Sequence, residues 1–198
     1  MRKFLASLCT ALILVAVPTL ASAERDVNKN PDYNFKAVRQ TELGEITFNT
    51  GYDARNYQED FGAQTKVEQQ LKAALNDRGI KVSARTAPIA IKVSIDALGT
   101  YQEYVAPYDE TKTVDKKTVG RDEHGRDVIV TIPTEEVVHH EAREVTHAVV
   151  ILNFTVIDNK TGNIIYTATD SRERSSENDT SGMLKRICKE FAKEISRN

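Results

Sequence analysis

The stretch from residue 89 to residue 97 alternates apolar and polar side chains, and this pattern limits the fold more than any other in the chain. The apolar positions are Ile89, Ile91, Val93, Ile95 and Ala97. A period of two is typical of a β-strand with one buried face and one solvated face. A sheet covered by helices on both sides would bury both sets of side chains. The pattern therefore predicts a sheet with one open, polar face.

Two amphipathic helices have the apolar stripes needed to cover the other face. The first is predicted over residues 61–78, with Gly79 where a left-handed residue ends a helix. The second is predicted to begin near residues 179–181, with Cys188 inside its apolar stripe. Strands are predicted over 35–48, 80–83, 89–101, 145–158 and 163–170, with loops over 50–60 and 171–181. We expect an α/β (α+β) fold, a two-layer sandwich of a mainly antiparallel sheet with two helices on one face.

The N-terminal residues have the pattern of a cleavable signal peptide. Arg2 and Lys3 are followed by an apolar run, and the segment ends in Ala21-Ser22-Ala23. Cleavage after Ala23 predicts an exported protein, periplasmic or secreted, with no stable membrane insertion afterwards. A leucine precedes Cys9 where a lipoprotein signal needs a small residue, which argues against lipid attachment. Residues 24–33 are polar and predict a flexible lead-in, and residues 34–198 predict one domain.

Charge and cysteine content exclude two classes of protein. Without residues 1–23 the chain keeps 25 basic and 29 acidic residues, because that segment contains two basic residues and no acid. A mildly acidic chain of mixed charge argues against a nucleic-acid partner. Cys188 is then the sole cysteine, so an internal disulfide is impossible. Stability must come from an apolar core, which about 175 residues can supply.

The middle of the chain predicts a projecting β-hairpin. Residues 111–119 and 127–132 alternate, and they flank a polar turn with glycines at 120 and 125. A two-stranded ribbon buries little surface by itself. The insertion at about 102–144 is charged along its length. It is therefore predicted to contact the domain itself, a second copy of the chain or another envelope protein.

A histidine-rich segment over residues 139–147 is the nearest thing to a chemical motif. On a helix, His140, Glu144 and His147 would share one face, as zinc ligands require. On a strand, His139 and Glu141 would share a face with His147, but His147 would lie some 20 Å from Glu141. The β-branched residues around the segment favour a strand, whereas apolar residues at helical spacing leave a helix as the alternative.

No other pattern indicates catalysis. The sequence contains no glycine-rich phosphate loop, nucleophile elbow or cysteine–histidine pairing. It therefore predicts no enzyme, no cofactor, and no catalytic, cofactor-binding or metal-binding residue. The acids Asp53, Asp60, Asp96 and Asp170 are predicted to lie on the surface. Three tyrosines, Tyr101, Tyr104 and Tyr108, would provide stacking surfaces if the sheet bound a small molecule or a cell-wall fragment.

Five segments in their order along the chain resemble a known group of proteins. They are Pro31-Asp32-Tyr33-Asn34-Phe35-Lys36, Asn76-Asp77-Arg78-Gly79-Ile80, the strand from Ile89 to Ala97, the hairpin from Phe154 to Tyr166 around Asp158-Asn159-Lys160-Thr161-Gly162, and the closing helix. This layout resembles exported bacterial envelope domains of unknown function, many of them lipoproteins with a Tyr-Asp-Phe-like opening. It is also similar to domains of envelope assembly factors and of cell-wall synthase activators. The chain differs in lacking a lipoprotein signal and in carrying the 102–144 insertion.

The function we expect from these patterns is a non-catalytic, exported binding or assembly module that acts on another envelope macromolecule. The alternatives are a metal-binding protein or metal-dependent hydrolase that uses the 139–147 segment, and a binder of small molecules or cell-wall fragments. The resemblance implies no catalytic residues.

Overall fold

The computed structural model describes residues 22–83, 87–175 and 178–196. The strands of this part, β1 to β9, are Ser22–Lys29, Gln40–Phe48, Gln58–Glu59, Lys81–Val82, Ile89–Val105, Tyr108–Arg121, Asp127–His140, Arg143–Asp158 and Ile164–Ser175. The helices α1 and α2 are Ala63–Asp77 and Ser181–Glu194. A short 3-10 turn covers Phe35–Ala37.

Seven strands form one mainly antiparallel sheet, and the other two form a separate hairpin. The main sheet has the order β1-β9-β8-β5-β2-β4, and β3 pairs with residues 99–100 of β5. Among the described residues, β2 pairs parallel with β5 and with β4, and the other strand pairings are antiparallel. Both helices pack into one apolar core with the sheet. The predicted fold class, a two-layer sandwich with helices on one face and a projecting hairpin, is confirmed.

The core is built from the alternating residues that the sequence pattern predicted. Along β5 the side chains of Ile89, Ile91, Val93 and Ile95 are buried, and those between them are partly or fully exposed. Strand β8 alternates in the same way from Val150 to Val156, and β9 from Tyr166 to Arg172. The other face is polar: the Asp96 carboxylate accepts hydrogen bonds from the side-chain amides of Asn49 and Asn153. One face of the sheet therefore contacts the helices, and most of the other contacts solvent.

The structure corrects the start of the domain. Residues 24–29, predicted as part of a flexible lead-in, belong to the edge strand β1 and pair antiparallel with β9. The side chains give little signal of this, because an edge strand gains its pairing from backbone hydrogen bonds. Two basic side chains add to it: Arg25 lies 3.5 Å from the buried Asp170 carboxylate, and Lys29 donates to the carbonyl oxygen of Glu194.

Two further predictions concern element ends. Gly79 ends the first helix with a φ of 73°, in the left-handed region, as predicted. The loop predicted over residues 171–181 begins later, because β9 continues to Ser175 opposite β8. The last residues of β9 are charged, and their backbone N–H and C=O groups pair with the longer strand β8.

The predicted signal peptide lies outside the described residues except for Ser22 and Ala23, which begin β1. No helix in the described part of the chain is long and apolar enough to cross a membrane.

We expect the thiol of Cys188 to be unreactive in the folded protein. It is fully buried in the stripe of α2, and burial, with a smaller contribution from the charge of Asp170, raises its pKa to about 12. At pH 8 it stays protonated and shielded, and only the thiolate reacts. Labelling with N-ethylmaleimide at pH 8, read by peptide mass spectrometry, should be roughly a hundredfold slower than in denaturant. Equal rates in the two conditions would contradict this.

Candidate functional site

The projecting hairpin, which we call the arm (residues 108–140), is a direct continuation of the central strands. In the main sheet Val105 lies opposite Arg143, and in the arm Tyr108 lies opposite His140. Two residues on each strand separate these pairs, so the register continues without a shift across the break. Pro107 stands at that break and has no backbone N–H to donate. The arm and the central hairpin are thus two parts of one long β-hairpin.

The arm contains most of the exposed large apolar side chains of the described residues. Each of its strands has 14 residues, a length of about 46 Å at 3.3 Å per residue. Its exposed apolar side chains are Val114, Val119, Val128, Ile129, Val130, Ile132 and Val137, whereas the remainder of the described residues exposes Val27, Phe61, Tyr104 and Ile164. The most exposed, Val119 and Ile129, lie directly opposite each other at 69% and 74%. The arm is therefore a ribbon of mixed charge whose exposed apolar side chains lie on both of its faces.

A cleft lies near the base of the arm. There the C-terminal parts of β5 and β9 and the N-terminal part of β8 meet the loop of residues 52–55. Its volume is about 590 Å³. The lining residues are Tyr52, Asp53, Ala54, Arg55, Tyr101, Gln102, Glu103, Tyr104, His147, Glu173 and Ser175. Strand β3 approaches β5 closely beside this loop, because Gly99 has no side chain: a Cβ there would lie 2.1 Å from the carbonyl oxygen of Gln58.

His147 and Tyr101 form the inner wall of the cleft. Their rings stack with centroids 4.8 Å apart, because the two residues lie opposite each other on β5 and β8. The Glu173 carboxylate is 2.9 Å from His147 Nδ1 and accepts a 2.7 Å hydrogen bond from the Tyr101 hydroxyl. His147 Nε2 lies 2.9 Å from Glu103 but out of hydrogen-bond alignment. Burial, and then the bond to Glu173, raise the pKa of Tyr101 well above its usual value, so this hydroxyl remains a proton donor.

A second stacked tyrosine–histidine pair lies at the base of the arm. The rings of Tyr108 and His140 stack with centroids 4.6 Å apart, and His140 Nε2 lies 2.9 Å from Glu110. His139 points to the other face of β7 and lies 2.6 Å from Asp109. Each histidine of the 139–147 segment thus contacts a carboxylate of a neighbouring strand.

The structure answers the question of helix or strand for this segment. Residues 127–140 and 143–158 are strands, as the β-branched residues favoured. The face that His140, Glu144 and His147 would share on a helix therefore does not exist, and His139 and His147 are some 26 Å apart along an extended chain. Among the described residues, no three histidine, cysteine or acidic side chains are grouped closely enough to hold an ion.

The three tyrosines do not form one platform. Tyr101 lines the cleft against His147, Tyr108 stacks on His140 in the arm, and Tyr104 is 55% exposed. The sequence patterns missed Tyr52, whose ring lies 6.2 Å from that of Tyr101, and Glu173, whose segment was predicted as loop. What the cleft offers chemically is a set of phenols and carboxylates around one buried imidazole.

Comparison with protein-family models and with curated proteins finds no match. Among solved structures, a PelC dodecamer from Paraburkholderia phytofirmans is 10% identical, covers 89% of this chain and 99% of its own, and has a TM-score of 0.51. A second PelC dodecamer structure from the same organism, a variant, is 11% identical, covers 89% and 100%, and has a TM-score of 0.49. A DUF4136 family protein from Bacteroides thetaiotaomicron is 12% identical, covers 87% and 93%, and has a TM-score of 0.37. The first of these shows that the chain shares the fold of PelC.

Proposed function

We propose that the chain is a non-catalytic, exported binding or assembly module that contacts its partner through the arm. The partner is another envelope protein or a second copy of the chain. The observation that carries the proposal is the concentration of exposed apolar side chains on the arm, outside the core of the domain.

The energetics of a free ribbon support this role. Two strands without a third strand or a packing layer are marginally stable in water. Large exposed apolar patches are typical of interaction surfaces. An arm of this length therefore gains stability when its apolar side chains and open strand edges are covered by another molecule.

The likeness to PelC supports assembly as the form that this binding takes. PelC is a dodecamer, so the fold is compatible with a homo-oligomer. The likeness concerns the fold, and the arm-based contact is argued from this chain alone.

Replacing residues 106–142 with Asn-Gly tests the proposal. Val105 and Arg143 are directly opposed, and Asn-Gly is the preferred two-residue connection of such a pair. The domain should still melt cooperatively, because the core contains no arm residue. Cross-linking in intact cells, followed by pull-down, should lose the partners that the full chain captures. An unchanged partner set and an unchanged native mass would overturn the proposal.

A matched pair of variants separates the arm surface from apolar surface in general. Val119→Thr with Ile129→Thr removes the most exposed apolar pair of the arm. Ile164→Thr removes a side chain that is 61% exposed on the main sheet. The arm variant should lose captured partners and the Ile164 variant should keep them. Equal loss in both would contradict a role specific to the arm.

A further inference from the structure

The outer edge of β6 is a complete, unpaired β-strand edge. The arm contains only β6 and β7, so each strand has one edge without a partner strand among the described residues. The two edges differ, because Pro133 interrupts β7 and a proline lacks a backbone N–H. Prolines within strands are tolerated where the missing N–H would point away from the neighbouring strand. The outer edge of β7 therefore lacks a donor, whereas β6 contains no proline.

The pairing of the arm tells which residues of β6 point outward. Pro133 lies opposite Asp115. In an antiparallel ladder, opposed residues either exchange their backbone hydrogen bonds or both point them away. Because Pro133 points its nitrogen outward, Asp115 also points its backbone groups outward. Residues 109, 111, 113 and 117 share this orientation, since backbone directions alternate along a strand.

A second copy of the chain has a β6 edge of the same kind. Two copies related by a two-fold axis perpendicular to the ribbon would pair their β6 strands antiparallel, with each face kept on its own side. Opposed residues must then point their side chains to the same face of the ribbon. Because side chains alternate between the faces along a strand, the two-fold axis must pass through a residue and not between two residues. Centres from residue 112 to residue 117 allow overlaps of nine or more residues within β6.

Charge excludes all but one of these registers. Centring on residue 112, 115, 116 or 117 places that charged residue opposite its own copy, since these are Lys112, Asp115, Lys116 and Lys117. Centring on residue 114 places Lys112 opposite Lys116. Like charges directly opposed across a strand pair are destabilising.

The register centred on Thr113 places no like charges opposite each other. It overlaps residues 108–118 and places Asp109 opposite Lys117 and Glu110 opposite Lys116, and the symmetry repeats both pairs. Within one arm, Lys116 lies 2.6 Å from Glu136, and Glu110 lies 3.1 Å from Lys112 and 2.9 Å from His140. Asp109 lies 2.6 Å from His139. All of these side chains are at least 30% exposed, and ion pairs at such positions contribute little, so they can exchange partners at small cost. The strand is thus complementary in charge to its own copy in one register.

We infer that two copies of this chain associate by antiparallel pairing of their β6 strands, with Thr113 of each copy facing Thr113 of the other. The inference rests on the proposed function, because it makes a second copy of the chain one partner of the arm, bound at the β6 edge; Val119 and Ile129 lie outside the paired residues 108–118. The product is a four-stranded ribbon, in which each arm gains the third strand that it lacks alone. The contact is isologous and closes on itself as a dimer.

A single cysteine substitution tests the register. Directly opposed side chains across a strand pair have Cβ atoms about 4.5–5.5 Å apart, within reach of a disulfide after small adjustments. Thr113→Cys should therefore form a covalent dimer under mild oxidation, seen on a non-reducing gel. Thr111→Cys is the matched control: it is an equally exposed threonine of the same strand, and two copies of it would lie about 13 Å apart. Cross-linking of both variants to the same extent, or of neither, would overturn the register.

Charge reversal tests the contact without a new covalent bond. Lys116→Glu with Lys117→Glu should weaken the dimer at least about tenfold in sedimentation velocity, because it opposes like charges. Adding Asp109→Lys and Glu110→Lys should restore it. If neither change alters the dissociation constant while the arm-less chain still loses its partners, the β6 pairing is wrong and the proposed function stands. If the arm-less chain keeps its partners and mass, both are wrong.

Discussion

Replacing Phe191 with alanine is expected to lower the free energy of unfolding by about 3–5 kcal/mol, the range for phenylalanine truncation in a packed core. Phe191 on α2 is fully buried, and its ring stacks on that of Phe154 with centroids 4.1 Å apart. The ring of Tyr166 makes a T-shaped contact with it, with centroids 5.6 Å apart. The substitution leaves a cavity between the helix and strands β8 and β9, which are fixed by their ladder and close it only in part.

The chain contains a matched control for this substitution. Phe61 is 98% exposed, so Phe61→Ala should change stability by no more than about 0.5 kcal/mol. For a domain of this size the Phe191 variant should melt roughly 6–20 °C lower than the parent. Urea denaturation followed by circular dichroism measures both variants. A Phe191 variant no less stable than the Phe61 variant would show that α2 does not pack on the sheet as described.

The sandwich itself could be predicted from the sequence because one physical pattern determines it. Alternation in residues 89–97 and in residues 150–156 reports which face of a strand is buried, and helical spacing reports which face of a helix meets it. The buried side chains Leu71, Ile91, Leu152 and Ile187 all lie where these periods place them. Such patterns persist because burial of apolar area is the main stabilising term.

The candidate site was only partly predictable, since it depends on pairing between distant residues. The arm was expected from alternation and glycines, and its strands extend to Tyr108 and His140 as the continuous register requires. That register also explains both stacked pairs, because it places Tyr101 directly opposite His147 and Tyr108 directly opposite His140. The residue numbers of each opposed pair add to the same value. Two tyrosines and two histidines, each seven residues apart, are the signal that sequence reasoning missed.

The sequence patterns did not predict the pairing of the edge strand β1 or the burial of the charged Asp170. Strand β1 has no alternation of its own, and Asp170 was predicted to lie on the surface. The structure instead buries Asp170 to 2% exposure beside an arginine two residues away. Two residues apart on a strand, an acid and a base share a face, but spacing does not tell whether helix α2 covers it.

Replacing Asp170 with alanine should lower the free energy of unfolding by about 3–5 kcal/mol, because it leaves a buried positive charge without its partner. Arg172, 8% exposed, donates a 2.9 Å hydrogen bond to Asp170, and Arg25 of β1 lies 3.5 Å from the same carboxylate. Arg172 keeps Glu190 at 2.5 Å, which places the expected loss toward the lower end of this range. The loss should reach β1 first, since Arg25 holds this edge strand to the sheet. Hydrogen exchange of amides in residues 24–29 should therefore accelerate more than exchange in β5.

Asp127→Ala is the control: Asp127 lies 3.5 Å from Arg121, but both side chains are more than 70% exposed, and exposed pairs contribute about 0–1 kcal/mol. Equal stability of the two variants would mean that Arg172 is hydrated in the folded protein and that the ion cluster does not fix β1 to the domain.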